Sequence, residues 1–549
     1  MRLNRIFLAA SLAVFLSPLT TSAQDTHQHK HEMGERLGRV NFAVSCNKAA
    51  QQQFNRAVAW LHSFEYEEAE KAFSEVTVTD PRCGMGYWGV AMSSYHPLWA
   101  PPTMAQLQKG SSAIEKAKIA GARTQRERDY IGAIEVFYKA ADKLDHRARS
   151  FAYSEAMAQL HQRYPSDREA GVFYALTLIA TGMMSHDKSY AREKEAARIL
   201  NRVLAREPQH PGVTHYLIHS NDYPALAHLA LRAARSYAKI APASAHAQHM
   251  PSHIFTRLGL WQEAIGSNLG AEASAKAFAV RNRMSGVWDE QFHAMDYLAY
   301  AYLQGAQDKQ ARGVLDELNR LPKAEPETFK VAYAAAAIPA RYALERRRWD
   351  EAAKLTLPAL GGFPWASFRW AEAHIYFARA IGAARIGDKA SARQEVEKLS
   401  AIREALIVAK GDYDWATQVE IQRQTAAAWL AYAEGKHEES LKLMRSAAEL
   451  EDSTEKHPVT PGAIIPAREL LGELLLELRR PQEALKEFEA ALLVSPNRFN
   501  GLYGAAKAAE LSGDRKKAEA FYAKLTVLGR RSDGKRPELQ AAREFLASK

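Results

Sequence analysis

From about residue 41 onward, apolar side chains recur every third or fourth position in runs that end in short polar, Gly or Pro turns, and scarcely any segment alternates with period two. This pattern predicts an all-α chain, a succession of amphipathic helices rich in Ala, Leu, Glu, Lys and Arg. Residues 24–40 (QDTHQHKHEMGERLGRV) are polar and aperiodic, and are expected to form a flexible leader carrying His27, His29 and His31. Ahead of them, Arg2 and Arg5 precede an apolar run from Ile6 to Leu16, and the small residues Thr21, Ser22 and Ala23 follow it. The run is too short to span a bilayer and ends in a cleavage pattern, so residues 1–23 read as a secretory signal peptide and the mature chain is expected to begin at Gln24. No later stretch reaches eighteen uninterrupted apolar residues, so no transmembrane segment is expected after cleavage, and the expected location is periplasmic or secreted.

The helical pattern repeats. In LLGELLLELRRPQEALKEFEAALLVSP, Leu471, Gly472, Ala484, Phe488 and Ala491 stand at fixed offsets before Pro496, and Ala506, Ala518, Tyr522 and Leu525 follow Gly472, Ala484, Phe488 and Ala491 by 34 residues. Ala69 and Phe73 stand at the same offsets before Pro81. Ala196, Ala230 and Ala264 are again spaced by 34, with Pro208 and Pro242 in phase, and beyond them the spacing drifts to between 40 and 48 at Ala311, Ala352, Ala392 and Ser440. Small residues at such positions let paired helices approach closely, and the aromatic fills the gap between neighbours.

These residues resemble the tetratricopeptide repeat (TPR), with unit-like matches from about residue 50 to 530. The resemblance implies a TPR-type helix-turn-helix solenoid, a right-handed superhelix whose first helices line a concave groove used to hold a peptide or partner protein. The expected organisation is a signal peptide (1–23), the leader (24–40), N-terminal repeats (41–175), His-rich central repeats (176–320), degenerate longer repeats (321–460) and a C-terminal TPR pair with a tail (461–549).

Charge narrows the partners. The 73 basic and 63 acidic side chains are interspersed, and no basic tract carries interleaved aromatics, so nucleic acid is not an expected partner. Cys46 and Cys83 are the only cysteines and lack Cys-x-x-Cys spacing, so a disulfide is expected rather than a metal site. Closing that loop would stabilise the fold by roughly 4 kcal/mol in the chain-entropy picture. The chain carries no Gly-x-Ser-x-Gly elbow, phosphate-binding glycine loop, His-Glu-x-x-His or haem-attachment motif, which disfavours the motif-bearing enzyme classes.

Histidine is where the chain departs from a generic repeat. Eight of its 19 histidines lie between His186 and His253, where an even spread would put two or three. With units beginning at Pro211 and Ala245, His215 and His219 fall at positions 5 and 9 of one first helix, and His249 and His253 at positions 5 and 9 of the next. Residues four apart share a helix face, and neighbouring helices pack about 8–10 Å apart, so two such pairs can converge on one ion. By the resemblance, positions 2, 5, 9 and 12 face the groove, which adds His246, His293, Asp222 and Asp296. Imidazoles with nearby carboxylates suit zinc, copper, iron or manganese, the carboxylates ligating the ion or orienting the rings. Pro251 is tolerated only in a first helical turn, so the second helix is expected to start near Met250 and leave His249 in the preceding turn. Tyr87, Trp88 and Met92 read as core, whereas Tyr95, His96 and Trp99 are placed to edge a groove.

Two functional readings follow. In one, the chain is an exported scaffold that binds a peptide or envelope-protein partner, and its histidines hold that ligand or an ion. In the other, it is a metal-dependent enzyme with His215, His219, His249, His253, His246 and His293 as ligands and Asp222 or Asp296 as general base or orienting group.

Overall fold

The computed structural model describes residues 36–409, 411 and 413–548. The expected signal peptide and the leader histidines lie outside the described residues. Among the described residues, twenty-six α-helices follow one another, and the only strand pairing is a two-residue parallel bridge between Val287–Trp288 and Ala324–Glu325. None of these helices is long and apolar enough to cross a membrane.

The repeat signature does in three dimensions what its chemistry suggests. Phe488 is fully buried, and a Cβ added at Gly472 or Gly504 would lie 2.8 or 2.2 Å from its ring, so the aromatic fills the space left by glycines on the helices before and after it. Phe73 likewise sits against Gly89, where a Cβ would come within 2.1 Å of the ring. Ala69, Ala196, Ala264, Ala484 and Ala518 are all fully buried. This interlocking of small and aromatic positions between consecutive helix pairs makes the fold an all-α array of TPR type.

The last leader residues are packed. Leu37 and Val40 are buried, and the Arg39 amide donates to the Gln209 carbonyl at 2.9 Å. The expectation of a flexible segment through residue 40 therefore ends earlier, because these two apolar side chains close the core of the first repeats. Cys46 and Cys83 are disulfide-bonded, joining the segment before helix Lys48–His62 to the start of helix Gly84–Ser93.

The array also folds back on itself. Buried Arg498, at the start of helix Phe499–Leu511, donates to Glu469 and Glu345 at 2.8 and 2.7 Å and to the Tyr300 hydroxyl at 2.8 Å. The Trp261 indole donates to the Asn497 carbonyl at 2.7 Å. At the other end, the His62 ring meets the Tyr216 hydroxyl at 2.9 Å, so the first repeat lies against helix Pro211–Ser220. The first repeat and the C-terminal repeats thus both pack against the central ones.

Candidate metal centre

The first helices of three successive central units are Pro211–Ser220, the pair Ala245–His249 and Pro251–Arg257, and Asp289–Gln304. Pro211 occupies the first turn of its helix and His210 caps it, accepting from the Val213 amide at 3.2 Å. In the second unit the chain breaks as Pro251 dictates, the first short helix ending at His249. Met250 keeps a helical backbone (φ −53°, ψ −35°), so His249 and His253 still face the same way.

All six expected histidines come together as two triads, His215 with His219 and His246, and His249 with His253 and His293. Within each triad one ring nitrogen from each residue lies within 4.8 Å of the others. His215 Nε2 stands 3.0 Å from His219 Nε2 and 3.1 Å from His246 Nε2, and His249 Nε2 stands 3.0 Å from His253 Nε2. The triads adjoin, with the His219 and His253 ring centroids 6.4 Å apart.

Every ring is buried, and burial is the chief cause that holds all six below the ordinary imidazole pKa, His215 to about 3. The rings are therefore neutral at pH 7, each with one N–H and one lone pair. For three of them the neighbours decide which nitrogen carries the proton. His215 Nδ1 lies 2.6 Å from the His62 carbonyl, which can only accept, so Nδ1 donates. His253 Nδ1 donates to Asp222 Oδ2 at 3.0 Å. His249 Nδ1 donates to Asn268 Oδ1 at 2.7 Å, and the Asn268 amide is turned that way by donating to the Ala264 carbonyl at 2.8 Å.

The consequence is electrostatic. His249 and His253 present bare Nε2 lone pairs to each other at 3.0 Å, and His215 presents a third to two neighbours, with no proton between the first pair to make a hydrogen bond. A cation bound to those lone pairs would turn this repulsion into ligation. Outer partners that hold Nδ1–H and aim Nε2 inward are the usual support of a metal-bound histidine.

Asp222 is one such partner, and it is saturated. It also receives Arg257 at 2.8 Å and Lys456 at 3.0 Å, and these cations help to hold its carboxyl well below the usual range despite burial. The structure does not bring Asp296 to the rings in the same way. Its carboxylate pairs with the buried Arg341, and burial raises it to about 6. Asn268, the His62 carbonyl and Phe64 were not legible as site residues, since no spacing signal marks them. Phe64 meets the His215 ring edge-on, with centroids 4.4 Å apart, and, with Trp99 against His219, covers the first triad. Trp99 edges the site as expected, whereas Tyr95 is core, packed on Phe137 and Tyr153.

The histidine positions do not face an open groove. Residues 456–462 lie across them: the Val459 carbonyl accepts from Tyr297, and the Gly462 carbonyl from Tyr333 and Arg341. Beneath this segment is a cavity of about 10 Å³, the room one water needs, lined by His246 from one triad and His253 and His293 from the other, with Trp99 and Lys330.

A third histidine cluster is built differently. Glu169 accepts from His62 Nε2 and His210 Nε2, each at 3.0 Å, and these two rings hold its carboxyl far below the usual range. Here each Nε2 proton has an acceptor, and no lone pairs are left facing.

The fold and this site together define a TPR-type helical-repeat protein with a buried histidine core. No protein-family model matches the sequence, and no curated protein matches it. Among solved structures, the chain is similar to a tetratricopeptide repeat protein from Parabacteroides merdae, at 11% identity over 55% of this chain and 97% of that one, with a TM-score of 0.28. It is also similar to yeast Tom70, at 14% identity over 91% of this chain and 96% of that one, with a TM-score of 0.30. The assignment to the repeat class rests on the packing of the chain itself.

Proposed function

We propose that this chain is an exported TPR-type scaffold whose central repeats hold a pair of transition-metal ions, one in each histidine triad. The carrying observation is the set of fixed, neutral imidazoles whose Nε2 lone pairs meet 3.0 Å apart with no proton to share. Imidazole donors suit zinc, copper, iron or nickel, whereas manganese favours oxygen ligands, which neither triad contains. The disulfide fits an oxidising compartment, in keeping with export. A peptide partner would not share these positions, since the chain itself covers them, and would have to meet another surface of the array.

Elemental analysis of full-length protein, exported natively and purified without a polyhistidine tag, tests the reading. Two equivalents of metal per chain are expected, one lost in His219→Ala and the other in His253→Ala. Protein that holds no metal, and whose melting temperature is unmoved by chelator or by added ions, would overturn it.

A further inference from the structure

Resting on the paired-metal reading above, we propose that the two ions are copper and that they act as one dinuclear centre, binding dioxygen in the cavity where the triads meet.

Copper follows from charge. All six inner donors are neutral nitrogens, and neither triad contains a carboxylate. The cost of burying an ion rises with the square of its charge, so a monocation is far easier to hold there than a dication. Among the metals that imidazole suits, copper alone has a stable monovalent form, and its divalent form stands highest in the affinity order for nitrogen sites. Zinc could be held only as a dication, and the carboxylates nearest the rings are already engaged, Asp222 by Arg257 and Lys456, Asp289 and Glu290 by Lys330, and Glu65 by Ser244.

Cooperation follows from the cavity. It touches His246 of one triad and His253 and His293 of the other, so a molecule in it borders both ions. Its volume of about 10 Å³, the room one water needs, excludes any organic molecule and leaves only the smallest ligands. Two-metal sites that share a ligand hold their ions roughly 3.5–4 Å apart, within reach of two triads whose rings already adjoin.

The step balances without another reactant. Each copper(I) gives one electron, dioxygen takes both and becomes peroxide, and two copper–oxygen bonds form while the oxygen–oxygen bond drops to a single bond. No proton moves. Two monocations with neutral dioxygen carry the same total charge as two dications with a peroxide dianion, so the buried pocket meets no change in net charge. Lys330, which lines the cavity and is held by Glu290 at 2.5 Å and Asp289 at 3.4 Å, brings a fixed ammonium to the side where the peroxide forms.

The test uses the full chain, stripped by chelator and reloaded with copper(I) under nitrogen. Metal content is measured before oxygen is admitted, and two coppers per chain are expected. Oxygen should then be taken up at one molecule per two coppers, with a peroxide-to-copper charge-transfer band in the near ultraviolet and no copper(II) electron paramagnetic resonance signal, because a shared ligand couples the two spins. In Val459→Ile, which adds one methylene to a side chain lining the cavity and removes no ligand, both coppers should stay and uptake should slow at least tenfold. His246→Ala should keep one copper and show its uncoupled signal on oxidation. Two bound coppers that ignore oxygen, or that oxidise to two isolated copper(II) spins, overturn this inference and leave the paired site standing. Retention of zinc or iron in place of copper does the same. Failure to bind any metal overturns both.

Discussion

Two buried histidine clusters lie side by side in this molecule and solve the same problem in opposite ways. In the first, His62 and His210 both donate to Glu169, so every polar atom of the contact has a partner and the cluster is a staple between the first repeat and helices Arg168–Ser185 and Pro211–Ser220. In the second, six rings crowd together, three of them with their protons turned outward to His62, Asp222 and Asn268, and the inward Nε2 atoms of these three face other ring nitrogens, with only the Tyr297 hydroxyl near His253 besides. The difference teaches how to tell a structural histidine from a ligand. Burial does not separate them, because both sets are buried. The direction in which each N–H points does.

The largest expected effect strikes the second cluster through pH. His215 is held to about 3 against an ordinary 6.5, chiefly by burial, and its five companions are lowered too. Above pH 6.5 these groups are neutral whether the chain is folded or not. Between 6.5 and 3 the unfolded chain takes up protons that the folded one refuses, so stability is present above the unfolded pKa and is lost as pH falls through this window. Urea titrations of metal-free protein at pH 7.5, 6 and 5 should show the midpoint falling steadily. A midpoint flat across that range would contradict the neutral-ring assignment on which the comparison stands.

Next in size is Glu169→Ala, which breaks the first cluster. It strips two buried rings of their shared acceptor and is expected to cost about 3–5 kcal/mol in urea unfolding. Adding zinc or copper should not recover the loss. Recovery by metal would show that this cluster, too, is a ligand set, and the contrast between the two would collapse.

The smallest and sharpest prediction is Asn268→Leu, which keeps the volume beside His249 and removes the acceptor that holds its Nδ1 proton. Metal affinity in the second triad is expected to weaken about 10–100-fold in a competition titration, with the first triad unchanged. Equal weakening at both triads, or at neither, would mean that the Asn268 contact does not aim the ring.

How much of this was legible differs from element to element. The pairing of His215 with His219, and of His249 with His253, was readable because a 34-residue register puts both pairs on successive first helices, and helix geometry then puts four-apart residues on one face. Pro251 marked the helix break correctly, yet the expected separation of His249 from His253 did not follow, since Met250 stays helical across the junction. Asp222 and Asp296 both fell at groove-facing positions of the register. They differ because Arg341, 45 residues beyond Asp296, takes that carboxylate, whereas Asp222 lies against His253. Asn268 carried no signal at all, being one polar residue on a second helix whose meaning comes from the ring it meets.

Helices, their boundaries at proline and glycine, the small-and-aromatic interlock of the repeats and the stacking of histidines in one register are local and periodic properties, and the sequence by itself determined them. The tertiary structure alone decided which nitrogen of each ring faces inward, that residues 456–462 cover the groove, and that the first repeat supplies Phe64 and the His62 carbonyl. The physical reason is distance along the chain. A ring's protonated nitrogen is chosen by whatever acceptor lies beside it, and for His215 that acceptor is 153 residues away.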